Sequence, residues 1–149
     1  MRLNKYRKSE LNHIHIKLGR EVIQFNLWKE LQINEEAIEA ELKTQPSYYA
    51  FLTTLHKKLL TQFEHLKVDR KKLAATLYLK AKGETHQGRP LNDEMCKASV
   101  EKNPKYIRIS RACIKAKDDA DAILSAVRGF EQRKDNLQTL SANRRQENR

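Results

Sequence analysis

The stretch that decides the fold is Tyr106-Ile-Arg-Ile-Ser-Arg-Ala-Cys-Ile-Lys-Ala-Lys-Asp-Asp-Ala120-Asp-Ala-Ile-Leu-Ser-Ala-Val-Arg-Gly-Phe130-Glu-Gln-Arg-Lys-Asp-Asn-Leu137. Steps of three and four residues from Tyr106 pick out Ile109, Cys113, Ala116, Ala120, Ile123, Val127, Phe130, Lys134 and Leu137. Only Lys134 departs from apolar character. A stripe at this period forms one narrow seam on a helix and predicts a second helix packed along it. Its alanines let two helix axes approach closely. The expectation is self-association through Ile109, Cys113, Ala116, Ala120, Ile123, Val127, Phe130 and Leu137. The alternative is packing on another helix of the same chain, and the two are compatible because Ile107, Ile114 and Leu124 widen the apolar face.

That other helix lies upstream. Residues 47–82 contain neither proline nor glycine, and Leu52, Leu55, Leu59, Phe63, Leu66, Leu73 and Leu77 share one helical face, with Arg70 interrupting the series. Pro46 and Pro104 stand where proline opens a helix, since the first N–H groups lack partners anyway. The segment Gly83-Glu-Thr-His-Gln-Gly88-Arg-Pro90 reads as a loop, and Asn92 or Asp93 caps a short helix running to about Lys102. The last helix is expected from Pro104 to Ala142, followed by a disordered polar tail over 143–149.

Before Pro46, Asn34-Glu35-Glu36 opens a short helix to Lys43. Residues 1–31 form a basic N-terminal arm. In it the alternation His13-Ile14-His15-Ile16 suggests a strand, whereas Val22 to Leu31 is compatible with helix. The predicted fold is all-α: long antiparallel helices with a heptad-patterned C-terminal helix that self-associates into a homo-oligomer. One helical DNA-binding and oligomerisation domain spans 32–142.

Composition supports elongated helices over a large core. Hydrophobic residues make up 39% of the chain and charged residues 33%, against about 45–50% and about 25% in typical globular chains. Thirty basic against nineteen acidic side chains leave a net charge of +11. A surplus of that size points to a polyanionic partner, most commonly nucleic acid. It is densest over 47–91, with nine basic and three acidic groups. Lys57, Lys58, Lys67, Arg70, Lys71, Lys72, Lys80, Lys82 and Arg89 are the candidate phosphate contacts, and Tyr78 among them is a candidate for stacking on an unpaired base.

Catalytic chemistry finds no support. Gly83-x4-Gly88 lacks the Lys-Ser/Thr that a phosphate-binding P-loop needs, and a helix precedes it where that motif has a strand. His13, His15, His56, His65 and His86 show no metal-ligand spacing with Cys96 or Cys113. The two cysteines read as reduced thiols. No enzyme activity, cofactor or metal is expected. No apolar run is long enough to span a membrane, and no signal-type segment follows Met1.

These helices resemble the UvsY-type recombination mediators of tailed phages. The resemblance rests on Leu31-Gln-Ile-Asn-Glu-Glu-Ala, Lys43-Thr44-x-Pro46, the basic helix from Tyr48, Lys105-Tyr-Ile-Arg-Ile, and Ala126-Val-Arg-Gly-Phe130-Glu-Gln-Arg133-Lys-Asp-Asn-Leu137, and it covers roughly residues 31–142. It implies a non-catalytic, ring-forming protein in the cytoplasm of an infected bacterial host. Such a protein binds single-stranded DNA, contacts the phage single-stranded-DNA-binding protein, and loads a phage RecA-like recombinase onto coated strands during recombination, repair and replication. In that family basic residues near the end of the long helix, before an aromatic pair and a glycine, contact DNA. The corresponding turn here, Leu73 to Gly83, keeps Tyr78 alone of the pair, with Lys71/Lys72 and Lys80/Lys82 on either side. The contrasting reading of the same residues is a coiled-coil scaffold or adaptor without a DNA-binding role.

Overall fold

The computed structural model describes residues 13–86 and 88–147. Its elements are strands β1 (His13–Leu18) and β2 (Glu21–Asn26), helix α1 (Leu27–Leu31), a 3-10 turn (Glu35–Ala37) and helix α2 (Ile38–Lys82). Strands β3 (Thr85–His86) and β4 (Arg89–Pro90) and helices α3 (Asp93–Lys102) and α4 (Pro104–Glu147) follow. Helix dominates, as the sequence predicts. The first twelve residues of the basic arm and the last two of the polar tail lie outside the described residues. The described residues fall into two compact units: a hairpin unit of residues 13–57 and 121–147, and a basic unit of residues 58–120.

In the hairpin unit, β1 and β2 pair antiparallel from His13↔Asn26 to Leu18↔Glu21. The alternation in β1 buries Ile14 and Ile16 and exposes His13, His15 and Lys17. Gly19 occupies the left-handed region (φ +62°), which lets the two-residue turn Gly19-Arg20 match the strand twist. This hairpin corrects the all-α expectation. It also ends the helical reading of Val22 to Leu31: β2 takes Val22 to Asn26, and α1 starts only after Asn26, whose side chain accepts from the Lys29 N–H at 3.1 Å.

Asn34 caps as predicted, accepting from the Glu36 N–H at 3.1 Å, but what it opens is a single 3-10 turn. Helix α2 then runs unbroken through Pro46, where the sequence predicts a boundary. Proline removes one backbone donor in a helix interior and ordinarily breaks it. Contacts on both sides hold the helix here. Glu41 and Gln45 bind Arg133 of α4, Gln45 Nε2 donates to the Phe130 carbonyl at 2.6 Å, and the Tyr49 hydroxyl donates to Glu131 at 2.8 Å. These contacts, with Arg144 Nη1 donating to the Glu35 carbonyl at 3.4 Å, advance along α2 as they retreat along α4. The two helices are antiparallel in this unit, as expected.

Helix α4 buries Ile123, Ala126, Val127, Phe130, Arg133 and Leu137. Lys134, placed on the stripe by heptad counting, is instead solvent-facing, its side chain 54% exposed beside Asp135. A straight helix drifts from the 3.5-residue repeat, so the stripe passes through Arg133. Gly129 sits where a Cβ would lie 2.9 Å from Leu31 Cδ1, so the Leu31 side chain of α1 packs directly over it. The helix also continues to Glu147, past the predicted end at Ala142. One local and one distant contact support the added turn: Arg145 Nε donates to the Ser141 carbonyl at 3.2 Å, and Arg144 reaches the Glu35 carbonyl.

The basic unit has a thinner core. Leu59, Ala81, Cys96, Val100, Cys113, Ala116 and Ala120 are buried, while Phe63, Leu66, Leu73 and Leu77 are only half-buried. Gly83 follows the end of α2, its N–H donating to the Lys80 carbonyl at 3.1 Å. The predicted loop contains a minimal antiparallel pair, Thr85↔Pro90 and His86↔Arg89, turned at Gly88 (φ +77°). Asn92 caps α3 by accepting from the Met95 N–H at 2.9 Å, and Asn103 caps α4 by accepting from the Lys105 N–H at 2.9 Å.

Candidate nucleic-acid interface

The charge predicted for the long helix concentrates in the basic unit. Its residues 58–120 carry fifteen basic and eight acidic side chains, an excess of seven. The described residues of the hairpin unit carry ten of each. With residues 1–12 and 148–149 counted, the hairpin unit carries fifteen basic and eleven acidic side chains, so seven of the eleven surplus positive charges belong to the basic unit and a polyanion is drawn to it more strongly.

Within the basic unit the candidate cations differ in how committed they are. Lys67 bonds both oxygens of Glu64, at 2.9 and 3.0 Å, and lies over the Phe63 ring. Lys82 stands 3.7 Å from Asp93 and over the Tyr78 ring, 5.7 Å from its centre. Arg70 is half-buried. Lys58, Lys71, Lys72, Lys80 and Arg89 are exposed and form no ion pair among the described residues. Lys57, the preceding residue of α2, belongs to the hairpin unit. Unpaired ammonium groups are the ones free to replace phosphate counterions.

Tyr78 is less free than the sequence suggests. Its hydroxyl donates to Asp93 at 2.8 Å and Lys82 occupies one ring face. That hydrogen bond raises the phenol above its ordinary value. It also holds the Asp93 carboxyl below its usual range, with help from the Lys82 charge. Tyr78, Asp93 and Lys82 thus tie the end of α2 to the start of α3.

Beside this triad runs an open groove of about 500 Å³, lined by Ala74, Ala75, Tyr78, Leu79, Lys97, Val100, Glu101 and Tyr106. Leu79 is 70% exposed on its rim. The walls are apolar and aromatic, and the volume is that of ordinary small-molecule sites. Sequence reasoning missed Tyr106, Leu79 and Lys97 as site residues. Tyr106 was visible only as the first position of the seam, and nothing in its spacing distinguishes a groove wall from a packing residue.

The seam residues themselves are accounted for within one chain. Cys113, Ala116 and Ala120 are buried in the basic unit and Ile123, Val127, Phe130 and Leu137 in the hairpin unit, with Ile109 half-buried. Tyr48 stacks on Phe130, ring centres 5.8 Å apart. The partner of the seam in the hairpin unit is therefore α2 of the same chain. Among the described residues no cluster of His, Cys, Asp or Glu is placed to hold a metal ion, and no helix is long and apolar enough to cross a membrane.

The chain matches no protein-family model, no curated protein and no solved structure. What its surface can do chemically rests on the geometry above: sequence-independent phosphate contact beside an aromatic groove.

Proposed function

We propose that this chain is a recombination mediator that binds single-stranded DNA and promotes loading of a phage RecA-like recombinase onto strands coated by single-stranded-DNA-binding protein. The observation that carries the DNA part is the concentration of seven surplus positive charges on one unit, with Lys71, Lys72 and Lys80 unpaired and a two-tyrosine groove beside them. The lysines meet phosphates, and an unpaired base enters the groove against Tyr106. A duplex keeps its bases stacked inside and gains only the phosphate contacts. The helical resemblance supports the mediator role, the two protein partners and the host cytoplasm. Assembly of several copies, as a ring in that family, joins weak phosphate sites into one avid surface.

Fluorescence anisotropy with an oligo-dT strand tests the reading. Affinity is expected to fall steeply with salt as condensed counterions are released. Replacing Lys71, Lys72, Lys80 and Lys82 by Gln lowers the log–log salt slope by about 0.7 for each phosphate no longer neutralised. Absence of binding at low salt overturns the proposal; oligomers that ignore DNA would then favour the scaffold reading.

A further inference from the structure

We infer that the groove beside Tyr78 selects guanine among unpaired bases, Glu101 accepting from its N1–H and N2–H groups and Lys97 donating to its O6. This rests on the strand binding proposed above and adds a base preference to it.

The walls of the groove divide by chemistry. Helix α2 contributes Ala74, Ala75, Tyr78 and Leu79, and Tyr106 stands on α4. These form an apolar and aromatic slot that takes any base by its face. Helix α3 contributes Lys97, Val100 and Glu101. Val100 is buried, whereas Lys97 and Glu101 are exposed. Four residues apart, those two share one face of α3, about 6 Å from each other along its axis. A cation and an anion are therefore presented side by side to the edge of whatever lies in the slot.

Neither side chain is bonded among the described residues. Lys115 and Asp119, at the same spacing on α4, close an ion pair at 3.1 Å. Lys97 and Glu101 close none, with each other or with any other described group. The neighbouring carboxylate, Asp93, is already taken: it accepts from the Tyr78 hydroxyl at 2.8 Å and lies 3.7 Å from Lys82. Glu101 is thus the open acceptor of the groove.

Base chemistry selects the occupant. In a single strand the Watson–Crick edge is open to side chains. A carboxylate only accepts, and it takes two parallel N–H bonds at once. Guanine alone carries two adjacent N–H donors on that edge, with the O6 acceptor beside them. The carboxylate meets the first two and the ammonium the third. Cytosine and adenine each set one amino group beside a ring-nitrogen acceptor, which leaves one carboxylate oxygen unused. Thymine sets a single N–H between two carbonyls, and these repel the carboxylate. Guanine therefore ranks first and thymine last. In a duplex the same edge is spent on pairing, so the contact also excludes paired DNA.

The test uses the full chain and fluorescence anisotropy at one salt concentration. Three strands of equal length are compared: oligo-dT, alternating thymine–guanine, and the latter with hypoxanthine for guanine. The guanine strand should bind about tenfold more tightly than oligo-dT, with an equal salt slope because the phosphate contacts are the same. Hypoxanthine lacks only the N2 amine, and its strand should bind less tightly than the guanine strand. Glu101→Met should erase the difference between the guanine strand and oligo-dT, with circular dichroism unchanged. Free GMP, which lacks the flanking phosphates, should compete only at millimolar concentration. Equal affinity of wild type for guanine and hypoxanthine strands, or for guanine strand and oligo-dT, overturns the inference and leaves strand binding standing. So does a guanine preference that survives Glu101→Met, which would make the carboxylate a mere repeller of phosphate. Displacement of the strand by micromolar GMP would assign the groove to a free nucleotide and overturn it as well. A chain that binds none of the strands at low salt overturns both the inference and the proposed function.

Discussion

The hairpin unit and the basic unit have solved the problem of a highly charged sequence with a low apolar fraction in opposite ways. The hairpin unit turns polar groups inward: Arg133, only 7% exposed, binds Glu41, Gln45 and the Gln32 carbonyl, and Gln45 binds the Phe130 carbonyl. The basic unit turns its charges outward, leaving Lys58, Lys71, Lys72 and Lys80 without ion pairs among the described residues. A buried hydrogen-bonded network favours one arrangement of the elements around it, here with Arg133 Nε alone of the guanidinium nitrogens left without a partner among the described residues. An unsatisfied surface favours a ligand. The same residue types therefore carry architecture in one unit and recognition in the other.

That contrast can be broken at several points. The largest effect is expected at Arg133. Arg133→Met strands Glu41 and Gln45 in a part-buried site, and removing one partner of a buried pair costs about 3–5 kcal/mol. Urea unfolding reads the loss; a change below about 1 kcal/mol would mean the network is incidental. Next comes Tyr106→Ala in the basic unit. Loss of one base-stacking interaction is worth about 1–3 kcal/mol of oligo-dT affinity, with little change in salt slope because every phosphate contact remains. A lowered slope with unchanged low-salt affinity would assign Tyr106 to structure instead.

Glu41 offers a pH test of the hairpin unit. Its hydrogen bond from Arg133 holds the carboxyl below the usual range, so the folded state binds the proton less readily than the unfolded chain. The stability it contributes is present above the unfolded value and is lost as pH falls through the folded one. Glu41→Gln should flatten that part of the acid limb of a stability-versus-pH curve; an unaltered limb would remove Glu41 from the account. The smallest effect is expected for Gly129→Ala. Helix propensity gains about 1 kcal/mol, and crowding of Leu31 Cδ1, the movable end of a side chain, returns part of it. Thermal unfolding should place the variant within about 1 kcal/mol of wild type.

The long helices were legible because their signals are periodic: Leu52, Leu55 and Leu59 on α2, and Cys113, Ala116, Ala120 and Ile123 on α4, are buried as their spacing predicts. The caps at Asn34 and Asn92 were legible because a short polar side chain before a helix satisfies an orphan N–H. Pro46 misled because local rules count the donor a proline removes and cannot count Gln45, Tyr49 and Glu41 fastening the same turn to residues more than eighty positions away. Lys134 misled because a heptad is an approximation to 3.6 residues per turn, and one residue of drift exchanges Arg133 for its neighbour. In the candidate site, the cations were readable as composition. The Tyr78–Asp93–Lys82 triad and the Tyr106 groove arise from side chains converging from three helices, which no one-dimensional pattern records.

The buried amide of Gln45 has one more consequence. A seam of aliphatic side chains such as Ile123, Val127 and Leu137 specifies its alignment weakly: two helices so faced can slide by a turn and still bury apolar surface. Gln45 offers a donor to the Phe130 carbonyl and an acceptor to Arg133, and no displaced alignment supplies both. Slippage would bury an amide and a guanidinium with nothing to bond. A single glutamine thus acts as a detent on an otherwise smooth track, converting many tolerable alignments of α2 and α4 in the hairpin unit into one.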